Sequence, residues 1–286
     1  MEALRRAGYS RDVSTEATVG ASLRAWRERR RLTQLELALD AGISTRHLSF
    51  VETGRSKPGR DTVLRIAEKL DVPFRERNRL LLAAGHAPAF PERSLEDPEL
   101  EPVRQALDLI LSRHEPYPAI VVDRSWNLVA ANAPVVALID AVNVEGALLE
   151  PPINTLRVVF HPDGLGSLIP DIGAWRAFFR ERLERQRSVS GDDVVATLIE
   201  ELDSYPLPEP AGDSGSDPQA TGTLGPVRMR SPFGGELAFF GMFAIFDTPF
   251  EVTTSELAIE LLFPADQATA DLLNNAPPAE PFRLDH

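Results

Sequence analysis

The 286-residue chain is long enough for two domains, its 43% apolar content can fill a core in each, and it contains no cysteine. Disulfides, thiolate zinc sites and cysteine nucleophiles are therefore excluded. The formal charge of -13 is unevenly divided: residues 1–86 carry 17 Arg and Lys against 11 Asp and Glu, net +6, while residues 87–286 carry 13 against 32, net -19. A basic module beside an acidic one points to one part that neutralises phosphates and another that phosphates repel. The apolar runs are too short to span a bilayer and Met1 to Ser10 is not a signal peptide, so a soluble cytoplasmic protein with no membrane partner is expected.

In chain order, Met1 to Thr18 is polar without a sustained period and is expected to be a loose arm, with Arg5, Arg6 and Arg11 available to a phosphate or minor groove. A first helix is predicted over Val19 to Arg31, burying Leu23 and Trp26. Thr33 can cap a second, whose inward residues are Leu37, Ala38 and Ala41, and Gly42 breaks it. Ile43 fills the angle, Ser44 caps a third helix running to Glu52, and Gly54 supplies a left-handed stop. Leu48 and Val51 share one face of that helix, which leaves Arg46, Ser49, Phe50 and Thr53 on the other. An outward arginine, hydroxyl and phenyl ask for a partner, although Phe50 can also pack beneath the linker or the second domain. Helices over Asp61 to Leu70 and Phe74 to Ala84 complete a five-helix domain at 19–86.

The stretch TQLELALDAGIS, followed by VETGRSKPG and GRDTVLRIAEKLDV, resembles the helix-turn-helix domain of the lambda-repressor and Cro type. Thr33, Gln34, Glu36, Leu37, Ala38, Ala41, Gly42, Ile43, Glu52, Gly54 and Pro58 fall where that pattern has them. The resemblance implies that the third helix lies in the major groove of double-stranded DNA. Thr45, Arg46, Ser49 and Phe50 are then the base-reading candidates, Gln34, Arg55, Ser56 and Lys57 the phosphate contacts, and Ser44 and His47 the edge of the same face. It also implies a structural pair between Arg27 and Glu52.

His86 to Pro102 is rich in proline and acid and reads as a semi-rigid linker, set at 87–102. A helix over Val103 to Arg113 leads into an α+β domain at 103–275. Ala119 to Val122 and Leu128 to Ala131 form a hairpin, and Asn132 caps a helix to about Ile139. Helices are predicted over Asn154 to Phe160, Ile172 to Arg187 and Asp192 to Leu202. Tyr205 to Gly225 reads as a mobile low-complexity insertion. Strands over Val227 to Ser231, Glu236 to Asp247 and Leu257 to Pro264 complete a five-stranded antiparallel sheet, followed by a helix over Ala265 to Asn274 and a tail at 276–286.

The hairpin followed by a helix resembles a PAS domain. The order of elements, with Asn132, NTLRVVF at Asn154 to Phe160, Trp175 and SPFGGEL at Ser231 to Leu237, resembles the ligand-binding domain of the MmyB-like transcription regulators. Two departures stand: Ala131 where the family has tryptophan, and the Pro/Gly insertion where it has an aromatic segment. The resemblance implies a cavity for a fatty acid or similar long apolar effector; Trp126, Phe160, Trp175, Phe178, Phe179, Phe239 and Phe243 are the candidate walls, although such aromatics equally suit the core of any α/β domain. A carboxylate head would want an arginine, and Arg157, Arg176, Arg228 and Arg230 are available, with Arg228 and Arg230 taken as the candidates. The Glu236 to Asp247 strand is apolar on both faces, so its far face needs a helix or a second subunit, and Gly241 leaves room in mid-strand.

The five histidines show no metal-ligand spacing, and no nucleophile elbow, phosphate loop or dinucleotide fingerprint is present. Neither an enzyme nor a bound cofactor or metal is expected. The sequence points to a homodimeric regulator reading an inverted repeat, with a ligand-free dimerisation or protein-docking module as the alternative for the second domain.

Overall fold

The computed structural model describes residues 18–142, 144–190, 193–207, 226–246 and 251–283, and divides into two compact units, Met1–Pro91 and Glu92–His286. The expected arm up to residue 17 and insertion residues 208–225 lie outside the described residues.

The first unit contains α1 (Val19–Arg29), α2 (Gln34–Asp40), α3 (Thr45–Glu52), α4 (Arg60–Lys69) and α5 (Phe74–Ala83). Leu23, Leu37, Leu48, Ile66 and Leu81 are wholly buried at its centre. Helix α1 stops short of the predicted Arg31. Arg31 adopts a left-handed φ of 58°, and the Leu32 amide bonds back to the Arg27 carbonyl at 3.1 Å, turning Leu32 inward. The start of α2 is a full capping box between Thr33 and Glu36. At Gly20 the backbones of α1 and α3 nearly touch. A Cβ there would stand 2.9 Å from the Glu52 carbonyl oxygen and closer still to that of Val51.

The stretch expected to be a linker is structured at both ends. Asn78 of α5 accepts from the Ala89 and Phe90 amides and donates to the Phe90 carbonyl at 2.7 Å, and Phe90 stacks on Phe74 at 4.2 Å. On the side belonging to the second unit, Arg93 pairs with Glu251 at 3.0 Å and Leu100 is buried.

The second unit runs α6 (Glu101–His114), β1 (Ala119–Val122), β2 (Leu128–Ala131), α7 (Ala133–Ala141), α8 (Thr155–Phe160), α9 (Ile172–Ser190), α10 (Asp193–Ser204), β3 (Val227–Arg230), β4 (Glu236–Ile245), α11 (Val252–Ser255), β5 (Ala258–Pro264), α12 (Gln267–Asn274) and β6 (Phe282–Arg283). The antiparallel sheet has the order β3-β4-β5-β1-β2-β6. The five predicted strands are present, and the expected tail adds a sixth by pairing with β2. Alternation along β1 sorts the core: Ala119 and Val121 pack with Leu107 and Leu111 of α6, whereas Ile120 and Val122 pack toward α8, α9 and α10.

Asn132 precedes α7 as expected but does not cap it with its side chain. Its amide oxygen accepts from the Ala119 amide at 2.9 Å and its nitrogen donates to the Tyr117 carbonyl at 2.8 Å, so this buried residue ties β1 to the end of β2.

The far face of β4 is covered only in part. Ala244 and Phe246 pack into the cluster that contains α6, while Phe240 and Met242 remain 40% and 52% exposed.

Candidate functional site

The outward side of α3 is assembled by its termini. Ser44 Oγ accepts from the His47 amide at 3.1 Å, which fixes the first turn, and Gly54 at φ 73° lets the Arg55 and Ser56 amides bond back to the Phe50 carbonyl at 2.8 and 3.1 Å. Leu48 and Val51 are buried beneath, so the opposite face is available. Arg46 is exposed, and Thr45, His47, Ser49 and Phe50 are half-buried. Phe50 stays out of the hydrophobic core and has two guanidinium groups near its ring, Arg46 at 5.3 Å and Arg55 at 6.0 Å from the ring centre. Arg55 and Lys57 are exposed just beyond, with Ser56 half-buried between them.

Gln34 has a different engagement from the one the sequence suggests. Its amide nitrogen donates to Glu52 Oε2 at 2.8 Å, joining a buried pair in which Arg27 grips both Glu52 oxygens at 2.7 and 3.0 Å. That interaction locks α1, α2 and the end of α3 together.

In the second unit a cavity of about 340 Å³ opens between the sheet and α7, α8 and α9. Of the candidate aromatics, Trp175, Phe179 and Phe239 line it, joined by Val135, Ile139 and Leu156. The other candidates stand elsewhere. Trp126 and Phe160 are core residues packed edge-on to Phe179 at 5.5 and 5.7 Å, and Phe243 lies edge-on to Trp126 at 5.7 Å, under the Arg182 guanidinium at 3.7 Å. Phe178 is 48% exposed, because it falls off the buried stripe of α9 that Phe179 and Leu183 define.

None of the four candidate arginines lines the cavity, and each has a protein partner. Arg157 forms a two-pronged pair with Glu201 at 2.7 and 2.8 Å, which holds the Glu201 carboxyl below the usual range. Arg176 donates to the Leu202 carbonyl at 3.2 Å, Arg228 pairs with Glu236 at 2.5 Å, and Arg230 donates to the Ser167 carbonyl at 3.0 Å. Among the described residues, the charged ones in the lining are Asp140, which is exposed, and Glu260 of β5, which is half-buried. Desolvation pushes the Glu260 carboxyl up to about 7, a rise that the Arg182 charge offsets only in part. Gly241 is not needed to make the mid-strand room expected of it: a Cβ there would stand 3.8 Å from Glu260 Oε1 and 3.7 Å from Leu262, both ordinary contacts.

Residues 103–276, more than half of the chain, match the MmyB-like transcription regulator ligand binding domain. The chain belongs to the MmyB-like transcription regulators. Residues 23–77 match the helix-turn-helix family. The chain is similar to an uncharacterized HTH-type transcriptional regulator, RghRB of Bacillus subtilis (strain 168), with 41% identity over 81 residues covering 28% of this chain and 56% of that protein. It is also similar to the uncharacterized HTH-type transcriptional regulators Mb0023 of Mycobacterium bovis and Rv0023 of Mycobacterium tuberculosis, at 40% identity over 67 residues covering 23% of this chain and 26% of each relative. The chain thus spans about half the length of the first of these relatives and about a quarter of the others.

Two residues of this MmyB-like chain escape a reading of motifs. Gly20 is one glycine among 18, and only the approach of α3 singles it out. Glu260 did leave a signal: it is the lone acid in AIELLFP, on the same strand face as Leu262.

Proposed function

We propose that the chain is a sequence-specific, DNA-binding transcription regulator whose second, PAS-like domain takes a long apolar effector. The observation that carries the DNA half is the outward face of α3, where Arg46, Ser49 and Phe50 stand clear of a core completed by Leu48 and Val51. Arg46 can grip the O6 and N7 of guanine and Phe50 can lie on a thymine methyl. Thr45 joins them as a base-reading residue, Arg55, Ser56 and Lys57 follow where a phosphate backbone would pass, and Ser44 and His47 edge the same side. Gln34 serves chiefly through Glu52 in this reading.

The cavity supports the effector half. Its volume lies at the lower end of the range usual for small-molecule pockets, about 300–1,000 Å³, and its walls are almost wholly apolar. A fatty acid is one member of the class, since each buried methylene contributes about 0.8 kcal/mol. The reading includes a cytoplasmic homodimer on an inverted repeat, with recognition helices about one DNA turn apart. The exposed Phe240 and Met242 favour a second copy over that part of the sheet. Ligand would alter operator affinity only to the extent that the two DNA-binding states hold it differently.

Selection of binding sites from random duplex DNA by the full chain, with and without extraction of bound apolar molecules, tests the whole. An enriched two-fold symmetric site whose affinity changes on extraction is expected. Recovery of unenriched DNA would refute the sequence-specific reading.

A further inference from the structure

Glu260 places a carboxyl in a wall that an apolar chain alone would not require. It lies mid-strand in β5, paired across to Ile120 of β1 and Phe243 of β4, and faces the cavity beside Ile120 and Leu262. No hydrogen bond reaches its carboxyl among the described residues. Arg182 of α9 acts on it only as a nearby charge, its guanidinium being laid over the Phe243 ring. Among the described residues, the other oxygen-bearing side chains in the lining are Asp140, which is exposed, and Thr155, whose hydroxyl already donates to the Trp126 carbonyl at 3.0 Å. Among the described residues the lining contains no arginine, lysine or histidine.

An acceptor without a donor in an apolar wall is costly, and a ligand that supplies the donor removes that cost. A carboxylate in the same place would meet like charge from Glu260, with Asp140 as the second charged lining residue. We propose that the effector carries a hydrogen-bond-donating head, a hydroxyl or an ammonium, which Glu260 accepts, and that the cavity discriminates against a free carboxylate. This rests on the apolar-effector reading above and narrows it: within that class the favoured ligand is a long-chain alcohol or amine, and the free fatty acid is disfavoured.

Below its own titration a protonated Glu260 could itself donate to a carboxylate, so the comparison belongs at about pH 8. Calorimetric titration of the full chain with 1-dodecanol, dodecylamine and dodecanoate varies the head on a constant tail. The alcohol and the amine should each bind at least roughly tenfold more tightly than the acid. Glu260→Gln should bring the three within about threefold of one another. Should Glu260→Gln fail to fold, Glu260→Asp, which withdraws the carboxyl by one methylene, should narrow the preference. Either donor binding no tighter than dodecanoate, or an unaltered preference in the Glu260 variant, overturns the inference and leaves the apolar-effector reading standing. Retention of none of the three overturns both.

Discussion

Arg27 and Glu52 meet fork to fork inside the helical unit, Nε to Oε1 at 2.7 Å and Nη2 to Oε2 at 3.0 Å, with Glu52 almost wholly buried and the Gln34 amide added at 2.8 Å. Removing one partner of such a pair strands the other charge. Arg27→Ala should therefore destabilise the first unit by roughly 3–5 kcal/mol, read from the helical transition in urea. The double variant Arg27→Met/Glu52→Leu leaves no buried charge and should recover most of that loss. A double variant as unstable as the single would place the cost in lost packing.

The crossing of α1 over α3 makes a second, sharper demand. Because a Cβ on Gly20 would collide with the Val51 and Glu52 carbonyls, Gly20→Ala must push the helices apart or unwind α1. A loss above about 2 kcal/mol is expected, although alanine is the better helix former. Gly59→Ala, where a Cβ meets nothing and only a glycine N-cap of α4 is lost, should cost no more than about 1 kcal/mol. Urea midpoints of the two variants decide this, and near-equal midpoints would mean that α1 shifts freely on α3.

Local chemistry made the first unit legible. Thr33, Ser44 and Gly54 act as the caps and stop their types suggest, and the buried set Leu37, Leu48 and Val51 follows from helical period alone. The strands of the second unit were legible from their alternation, yet the cavity walls were only partly so. Trp175 and Phe179 face the cavity while Trp126 and Phe160 fill the core beside it, and no periodicity separates these pairs, because the division is made by how α8 and α9 lean on the sheet. The arginines were misleading for a related reason. Arg157 is satisfied by Glu201, 44 residues away in sequence, a pairing that only the assembled fold creates.

On α3 the two kinds of cation should behave differently toward duplex DNA. Arg46→Ala should cost about 1–3 kcal/mol on the preferred site and relax preference at one base position. Lys57→Ala should weaken all duplexes about equally and reduce the salt slope by about one. Phe50→Ala removes the ring that both Arg46 and Arg55 approach, and should reproduce part of the Arg46 loss. Anisotropy titrations on selected and scrambled duplexes over a salt series check all three. An equal loss on both duplexes for Arg46→Ala would make it a phosphate contact.

Glu260 also links stability to pH. Its carboxyl titrates near 7 in the folded chain against an ordinary 4.5, so between those values the folded state holds a proton that the unfolded state has released. Stability therefore falls as pH rises through that window, and the loss is complete above about 7. Glu260→Gln carries no such penalty. Relative to the parent it should gain on the order of 2 kcal/mol between about pH 4 and pH 8, less than the full shift implies because the residue is only half-buried. The difference between the two urea-unfolding free energies at each pH isolates this group from every other carboxylate, since those are common to both chains. A difference that stays flat across the series would mean that water reaches the carboxyl freely, and it would remove the physical reason for the acid to seek a donor from a ligand.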